Sequence, residues 1–193
     1  MSMKKIKIIV QIIILILICV GLFFYFTHQN KKTSSVLPEV HKIEFKPKEN
    51  LDPTIRERYW KYFIHNKKAI EKNPNDVNLW LNLGTIMKVI GNLDQAEEVW
   101  LYITKKWPDD PTAYGNLADL YTNFKKDYNK AEKYWKKAIE KCKNINCALI
   151  YYRNLYEFYV YHLKDKNKAK QILKQALEKY PNEEDFINLM NQL

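Results

Sequence analysis

Asparagine stands at positions 82, 116 and 154, each time two residues after an aromatic one: Trp80, Tyr114 and Tyr152. An amide side chain both donates and accepts, so a column of three could bond the main chain of an extended peptide. A solvent-facing repeat consensus would leave the same column. Cys142 and Cys147 are five residues apart in "EKCKNINCAL". Across a helix-to-helix turn that separation brings two Cα atoms into the roughly 4.4–6.8 Å range a disulfide needs. In an oxidising compartment the bridge would staple the turn; in a reducing cytosol the pair would be two small residues at helix ends. With no further Cys and no nearby His, they do not form a zinc site. His28, His41, His65 and His162 are scattered, without a Ser or Cys partner, a paired His, or a glycine loop for phosphate. The chain does not read as an enzyme, and no cofactor is expected.

The elements that must position these residues are helical. The 193 residues include four glycines, and Lys, Leu, Ala and Tyr are abundant. That composition suits helices far better than a sheet with tight turns, and the chain is long enough for one ordinary core.

The N-terminus is set apart. Residues 8–26, "IIVQIIILILICVGLFFYF", hold no charge and one polar side chain, Gln11. As a helix the run spans roughly 28 Å, close to the hydrocarbon core of a bilayer. It is long for a signal-peptide core, and bulky Phe23, Phe24, Tyr25 and Phe26 stand where cleavage would need small residues. Ile18 before Cys19 is likewise too bulky for a lipobox. An uncleaved single-pass anchor is expected. Lys4, Lys5 and Lys7 bias the basic residues 1–7 to the cytoplasm and the rest of the chain to the outside, against Lys31 and Lys32 on the far side. In a bacterium that is the inner membrane with the domain on its periplasmic face. Residues 27–52, with Pro38, Pro47 and a Thr-Ser-Ser cluster, read as a linker that would not fix the domain's tilt. A short extended segment near Val40–Phe45 is compatible with it.

From residue 53 to 193 the chain repeats itself. Trp80, Leu83, Gly84 and Met87 fall at i, i+3, i+4 and i+7, one face of a helix, and Gly91-Asn92 breaks it. A second stripe follows: Ala96, Val99, Trp100 and Ile103, closed by Trp107-Pro108. The pattern returns as Tyr114, Leu117, Ala118 and Tyr121 with Ala131, Trp135 and Ala138. A third copy has Tyr152, Leu155, Tyr156 and Tyr159 with Ala169, Leu173, Ala176 and Pro181. "DYNKAEKYWKKAIEK" and "DKNKAKQILKQALEK" match nearly in register. The copies cover about 77–110, 111–148 and 149–182. The second holds one extra residue, assigned to the turn before Ala131, and three near the cysteines. Tyr156 takes the slot of Gly84 and Ala118, so the third hairpin must splay.

Each copy resembles the tetratricopeptide repeat, whose W-x2-L-G-x2-Y, A-x3-F and Pro signature maps onto the residues just named. Residues 58–74 look like the second helix of a leading unit, and 183–193 like a capping helix. The resemblance implies an all-α, right-handed solenoid of about three hairpins with flanking helices, preceded here by the transmembrane helix. It also implies that the first helices of successive units line a groove for a peptide or partner protein. Trp80, Trp100, Tyr114 and Trp135 are then core. The opposite faces offer Asn78, Asn82, Thr85 and Lys88; Thr112, Asn116, Asp119 and Asn123; and Arg153, Asn154, Glu157 and Tyr161. Leu81 and Ile150 stand where the family's cationic carboxylate clamp would need Lys or Arg, so that specialisation is not expected.

The formal charge is +10. Lys126, Lys130, Lys133, Lys137 and Lys141 share a stripe that could meet anionic lipid or an acidic partner, but more often such a stripe is a solvated outer face. No nucleic-acid module is recognisable. The expected role is a membrane-anchored docking scaffold. Bitopic bacterial proteins of similar layout suggest cell-envelope assembly or a chaperone-like part in cytochrome maturation. The alternative is a spacer without a client, forming homo-oligomers through "YYRNLYEFYVYHL".

Overall fold

The computed structural model describes residues 42–193; the basic residues 1–7, the apolar run 8–26 and the linker as far as residue 41 lie outside the described residues. Among those described, no helix is long and apolar enough to cross a membrane. Eight helices follow in order. A leading helix, α1 (Pro53–Lys72), precedes a first hairpin of α2 (Val77–Val89) and α3 (Leu93–Lys106). The second hairpin is α4 (Pro111–Asp119), widening into a π-helical extension over Leu120–Lys125, and α5 (Tyr128–Lys141). The third is α6 (Ile145–Glu157), with a π-helical extension over Phe158–His162, and α7 (Lys166–Lys179). A final helix, α8 (Glu184–Asn191), closes the row. Helices pack chiefly on their neighbours in sequence, as in a solenoid.

Capping explains where helices start. Asp52, Asp76, Asp110 and Asn144 cap α1, α2, α4 and α6, each side chain accepting from backbone N–H groups of the first turn. Pro53 and Pro111 follow their caps directly, where a missing N–H costs nothing. The turns inside the hairpins share one geometry. Gly91, Lys126 and Lys164 have φ of 84°, 56° and 55°. The next residues, Asn92, Asp127 and Asp165, cap the second helices by accepting from the N–H of Gln95, Lys130 and Lys168.

That turn locates the extra residue differently from the sequence reading. The left-handed residue follows Trp80 by eleven positions but follows Tyr114 and Tyr152 by twelve. The added residue therefore lies inside the first helix of the second and third hairpins, where the π-helical turns absorb it, and not in the turn.

The core follows the repeat. Trp80 and Trp100 are fully buried, Trp135 nearly so, and Tyr114 half-buried. Trp80 Nε1 donates to the Pro74 carbonyl (3.0 Å) and the Tyr114 hydroxyl to that of Pro108 (3.1 Å), so two hairpins open with the same bond six residues back. In the first hairpin a Cβ on Gly84 would sit 2.3 Å from Trp100 Nε1, so the indole lies directly on the backbone of α2. In the third, Tyr156 is buried and Leu173 replaces the tryptophan, while α6 and α7 approach each other less closely than the other two pairs. The expected splay is present. Phe186 of α8 packs against Tyr152, ring centroids 5.5 Å apart.

One expectation about the linker is corrected. Residues 43–51 are not a free tether but a docked strap. Ile43 and Leu51 are buried, Phe45 contacts Trp60 and Phe63, Lys67 donates to the Ile43 carbonyl (2.9 Å), and Lys48 N donates to the Ile90 carbonyl (2.9 Å). Its hydrophobic positions cover apolar area of α1 that α2 leaves open, which offsets the entropy of ordering it.

Candidate functional site

The docking residues expected from sequence all lie on first helices. Asn78, Asn82, Thr85 and Lys88 are on α2; Thr112, Asn116 and Asp119 on α4, with Asn123 in its extension; Arg153, Asn154 and Glu157 on α6, with Tyr161 in its extension. None is buried. The helical period explains this, since the buried rows beginning at Trp80, Ala113 and Tyr152 turn the intervening positions outward.

Three clefts run along this face. The first, about 270 Å³ between α1 and α2, is lined by Asn82, Thr85 and Ile86 with Tyr62, His65 and Asn66. Asn66 is buried and donates to the Leu79 carbonyl at 2.8 Å, fixing α1 against α2. The second, about 180 Å³, lies between the widened ends of α4 and α6. Asp119, Asn123, Asn154, Glu157 and His162 rim it, over Thr122 and Trp135, where the indole N–H donates to the threonine hydroxyl (3.2 Å). The third, about 360 Å³, lies between α6 and α8 and joins Asn154 and Arg153 to Asn146, Leu149, Ile150 and Asp185.

Several of these groups already hold partners. Lys88 reaches across from α2 to Asp119 at 2.8 Å, and Asn123 donates to the same carboxylate at 2.7 Å. Arg153 pairs with Asp185 of α8. The groove's charges are thus largely matched internally, with Glu157 making no ion pair among the described residues. The asparagine column is interrupted: Asn82 and Asn154 line clefts, but the half-buried Asn116 lines none of these three, nor do Asn78, Lys88, Thr112 and Tyr161.

Several lining residues escaped the sequence reading, and Ile150 was visible there only as a position without a cation. Tyr62 and His65 belong to α1, whose leading-unit pattern gave no reason to place its edge on the groove. His162 enters the second cleft because the π-helical turn rotates it inward, and its ring stacks on Phe158. Ile150 is 57% exposed beside the third cleft, an apolar contact on a polar face.

The cysteines are joined in the structure, Cys142 to Cys147, with Cα atoms 5.4 Å apart at the enlarged turn between α5 and α6. The tyrosine-rich stretch is spent mostly inside the monomer. Tyr152, Tyr156 and Tyr159 are buried, Tyr151 lies over Gly115, and only Tyr161 stands well clear at 69% exposure. That removes most of the surface on which a tyrosine-based oligomer would rest. Among the described residues no three His, Cys, Asp or Glu side chains gather as a metal site.

Comparison with known proteins agrees with this architecture. No curated protein matches the chain. Three stretches match the tetratricopeptide repeat: residues 65–98, which begin within α1 and end in α3, residues 111–144, and residues 148–183. Together they span more than half the chain and fall on consecutive hairpins, and so the chain belongs to the tetratricopeptide repeat family.

Proposed function

We propose that this protein is a membrane-tethered scaffold whose first-helix face docks an extended segment of a partner protein. Tetratricopeptide repeats generally mediate protein–protein interaction, and proteins built of them are typically non-enzymatic scaffolds. The observation that carries the reading is the division of side chains on α2, α4 and α6. The aromatic rows are spent on packing, while none of the twelve residues expected to dock a partner is buried and seven of them line three open clefts. Amides at Asn82 and Asn154 and hydroxyls at Thr85 and Tyr62 suit a peptide main chain. Ile150 supplies an apolar foothold.

Tethering would hold a docked client at high effective concentration near the bilayer, consistent with a role in envelope assembly or chaperone-like maturation of another protein. The apolar run 8–26 supports the tether, and the Cys142–Cys147 pair supports an oxidising side for the domain.

The test is cross-linking and affinity capture of the full chain from its own membranes, beside an Asn82→Ala/Asn116→Ala/Asn154→Ala variant of unchanged helicity and thermal midpoint. Loss of the captured partner from the variant is expected. Equal recovery from both removes the groove assignment. Labelling of reduced Cys142 and Cys147 by a membrane-impermeant reagent on intact cells tests the outward orientation, and labelling only after lysis would reverse it.

A further inference from the structure

Charge is unevenly placed along the solenoid. Residues 53–125 hold ten Lys or Arg against nine Asp or Glu, whereas residues 126–182 hold fourteen against six. Thirteen of those fourteen are lysines; the one arginine, Arg153, lies on the groove side and is paired with Asp185. Three of those six acidic residues are already held in ion pairs: Asp127 with Lys130, Glu132 with Lys136 and Lys168, Glu140 with Lys137. Lys133, Lys170 and Lys174 are exposed and make no ion pair among the described residues.

These lysines share one face. Glu132 of α5 accepts from Lys168 of α7 at 2.9 Å and from the Tyr159 hydroxyl at 3.0 Å, which links the two second helices through their side chains. Around a helix of 3.6 residues per turn, Lys133 and Lys136 on α5 and Lys170 and Lys174 on α7 point away from the buried rows Ala131–Trp135–Ala138 and Ala169–Leu173–Ala176. The corresponding face of α3 exposes Asp94 and Glu98 beside Lys105, so the positive field is confined to the second and third hairpins. The predicted stripe is also narrower than expected on α5, because Lys137 and Lys141 are drawn into pairs with Glu140 and Asp109.

We propose that the lysine face of α5 and α7 rests on the anionic headgroups of a bilayer. The inference rests on the proposed anchor. With the apolar run ending at residue 26 and the docked strap beginning at residue 43, the chain between them reaches at most about 55 Å, which leaves the domain within reach of the membrane surface and lets charge choose the face. Its chemistry fits a fluid surface of phosphates better than other polyanions. Lysines are mobile point charges without the bidentate fork that selects one acidic partner geometry. Their exposed neighbours Asn129, Asn167, Gln171 and Gln175 offer no aromatic platform for nucleobases. Each near-surface cation raises occupancy of an anionic surface about fivefold.

The test reconstitutes the full chain into vesicles of phosphatidylcholine alone or of an equal mixture with phosphatidylglycerol, then reads amine labelling residue by residue. Labelling of Lys133, Lys170 and Lys174 should fall several-fold in the anionic vesicles, recover at high salt, and leave Lys105 of α3 unchanged. In a Lys133→Gln/Lys170→Gln/Lys174→Gln variant, the remaining Lys136 should lose its protection. Equal labelling in both vesicle types, with the chain floating in both, overturns the lysine face and keeps the anchor. Flotation only with the anionic vesicles keeps the face and overturns the anchor; recovery in the aqueous fraction from both overturns the two together. Protection that appears only on adding an acidic protein or a nucleic acid also overturns the membrane assignment.

Discussion

In the first hairpin a glycine faces a tryptophan; in the third, at the same register, a tyrosine stands where a leucine replaces the tryptophan. Gly84 lets the Trp100 indole lie on the α2 backbone, and the two helices run close. Tyr156 fills the crossing from the other side, and α6 and α7 stand further apart. Volume at the crossing is kept roughly level while its owner changes. The comparison teaches that this fold fixes the filling of each inter-helix layer more tightly than the distance across it.

The largest effect expected is in the third hairpin. Tyr156→Ala removes a buried ring from the splayed pair, and should cost about 3–4 kcal/mol, read by chemical denaturation. A change under about 1 kcal/mol would mean the splayed pair relaxes freely, and the contrast would fail. In the first hairpin Gly84→Ala should cost about 2 kcal/mol, because the new methyl meets the indole and not a flexible chain end. Pairing it with Trp100→Leu should recover part of that loss, a coupling measurable by a double-mutant cycle.

A smaller effect concerns the seam beside the third hairpin. Glu132 is partly buried, which disfavours its charge. Hydrogen bonds from Lys136, Lys168 and Tyr159 outweigh that and bring its pKa to about 2 from the usual 4.5. Because the folded value lies below the unfolded one, this carboxylate's contribution is complete above about pH 4.5 and disappears as pH falls toward 2. Glu132→Gln should therefore flatten the acid limb of a stability–pH curve in that window; an unaltered limb would assign acid sensitivity elsewhere. The first hairpin has a counterpart of this seam: Glu97, which follows Ala96 as Glu132 follows Ala131, accepts from Tyr121 and Lys125 of the second hairpin, and these bonds outweigh its partial burial and hold its carboxyl below the usual range.

The smallest effect compares the three turns. Lys126 and Lys164 adopt the left-handed conformation that Gly91 adopts without a Cβ. Either lysine changed to glycine should raise stability by about 0.5 kcal/mol, whereas Gly91→Lys should lower it, as followed by thermal melting.

Much of the fold was legible because helical spacing reports angular position directly. Trp80, Trp100, Ala96 and Ala131 could be placed inward from their intervals alone. What the spacing could not report was which neighbouring helix a face meets, so Tyr62 and His65 were missed and Asn116 was counted in a continuous column. Nor could it place the added residue. A lysine at a left-handed position carries no glycine signal, so an insertion in the turn and a widening of the helix look alike in sequence. The strap at 43–51 was hidden for a related reason. Its prolines and charges resemble a linker, and only the shapes of α1 and the Ile90–Gly91 corner make it adhere.

The strap also bears on the end of the row of hairpins. A stack whose terminal faces stayed bare would invite another copy to add on, and another after that. Here the chain folds its own lead-in over part of the front, with Phe45 seated against Phe63, while Phe186 sits against Tyr152 at the back, so each terminal layer draws some of its cover from the same molecule.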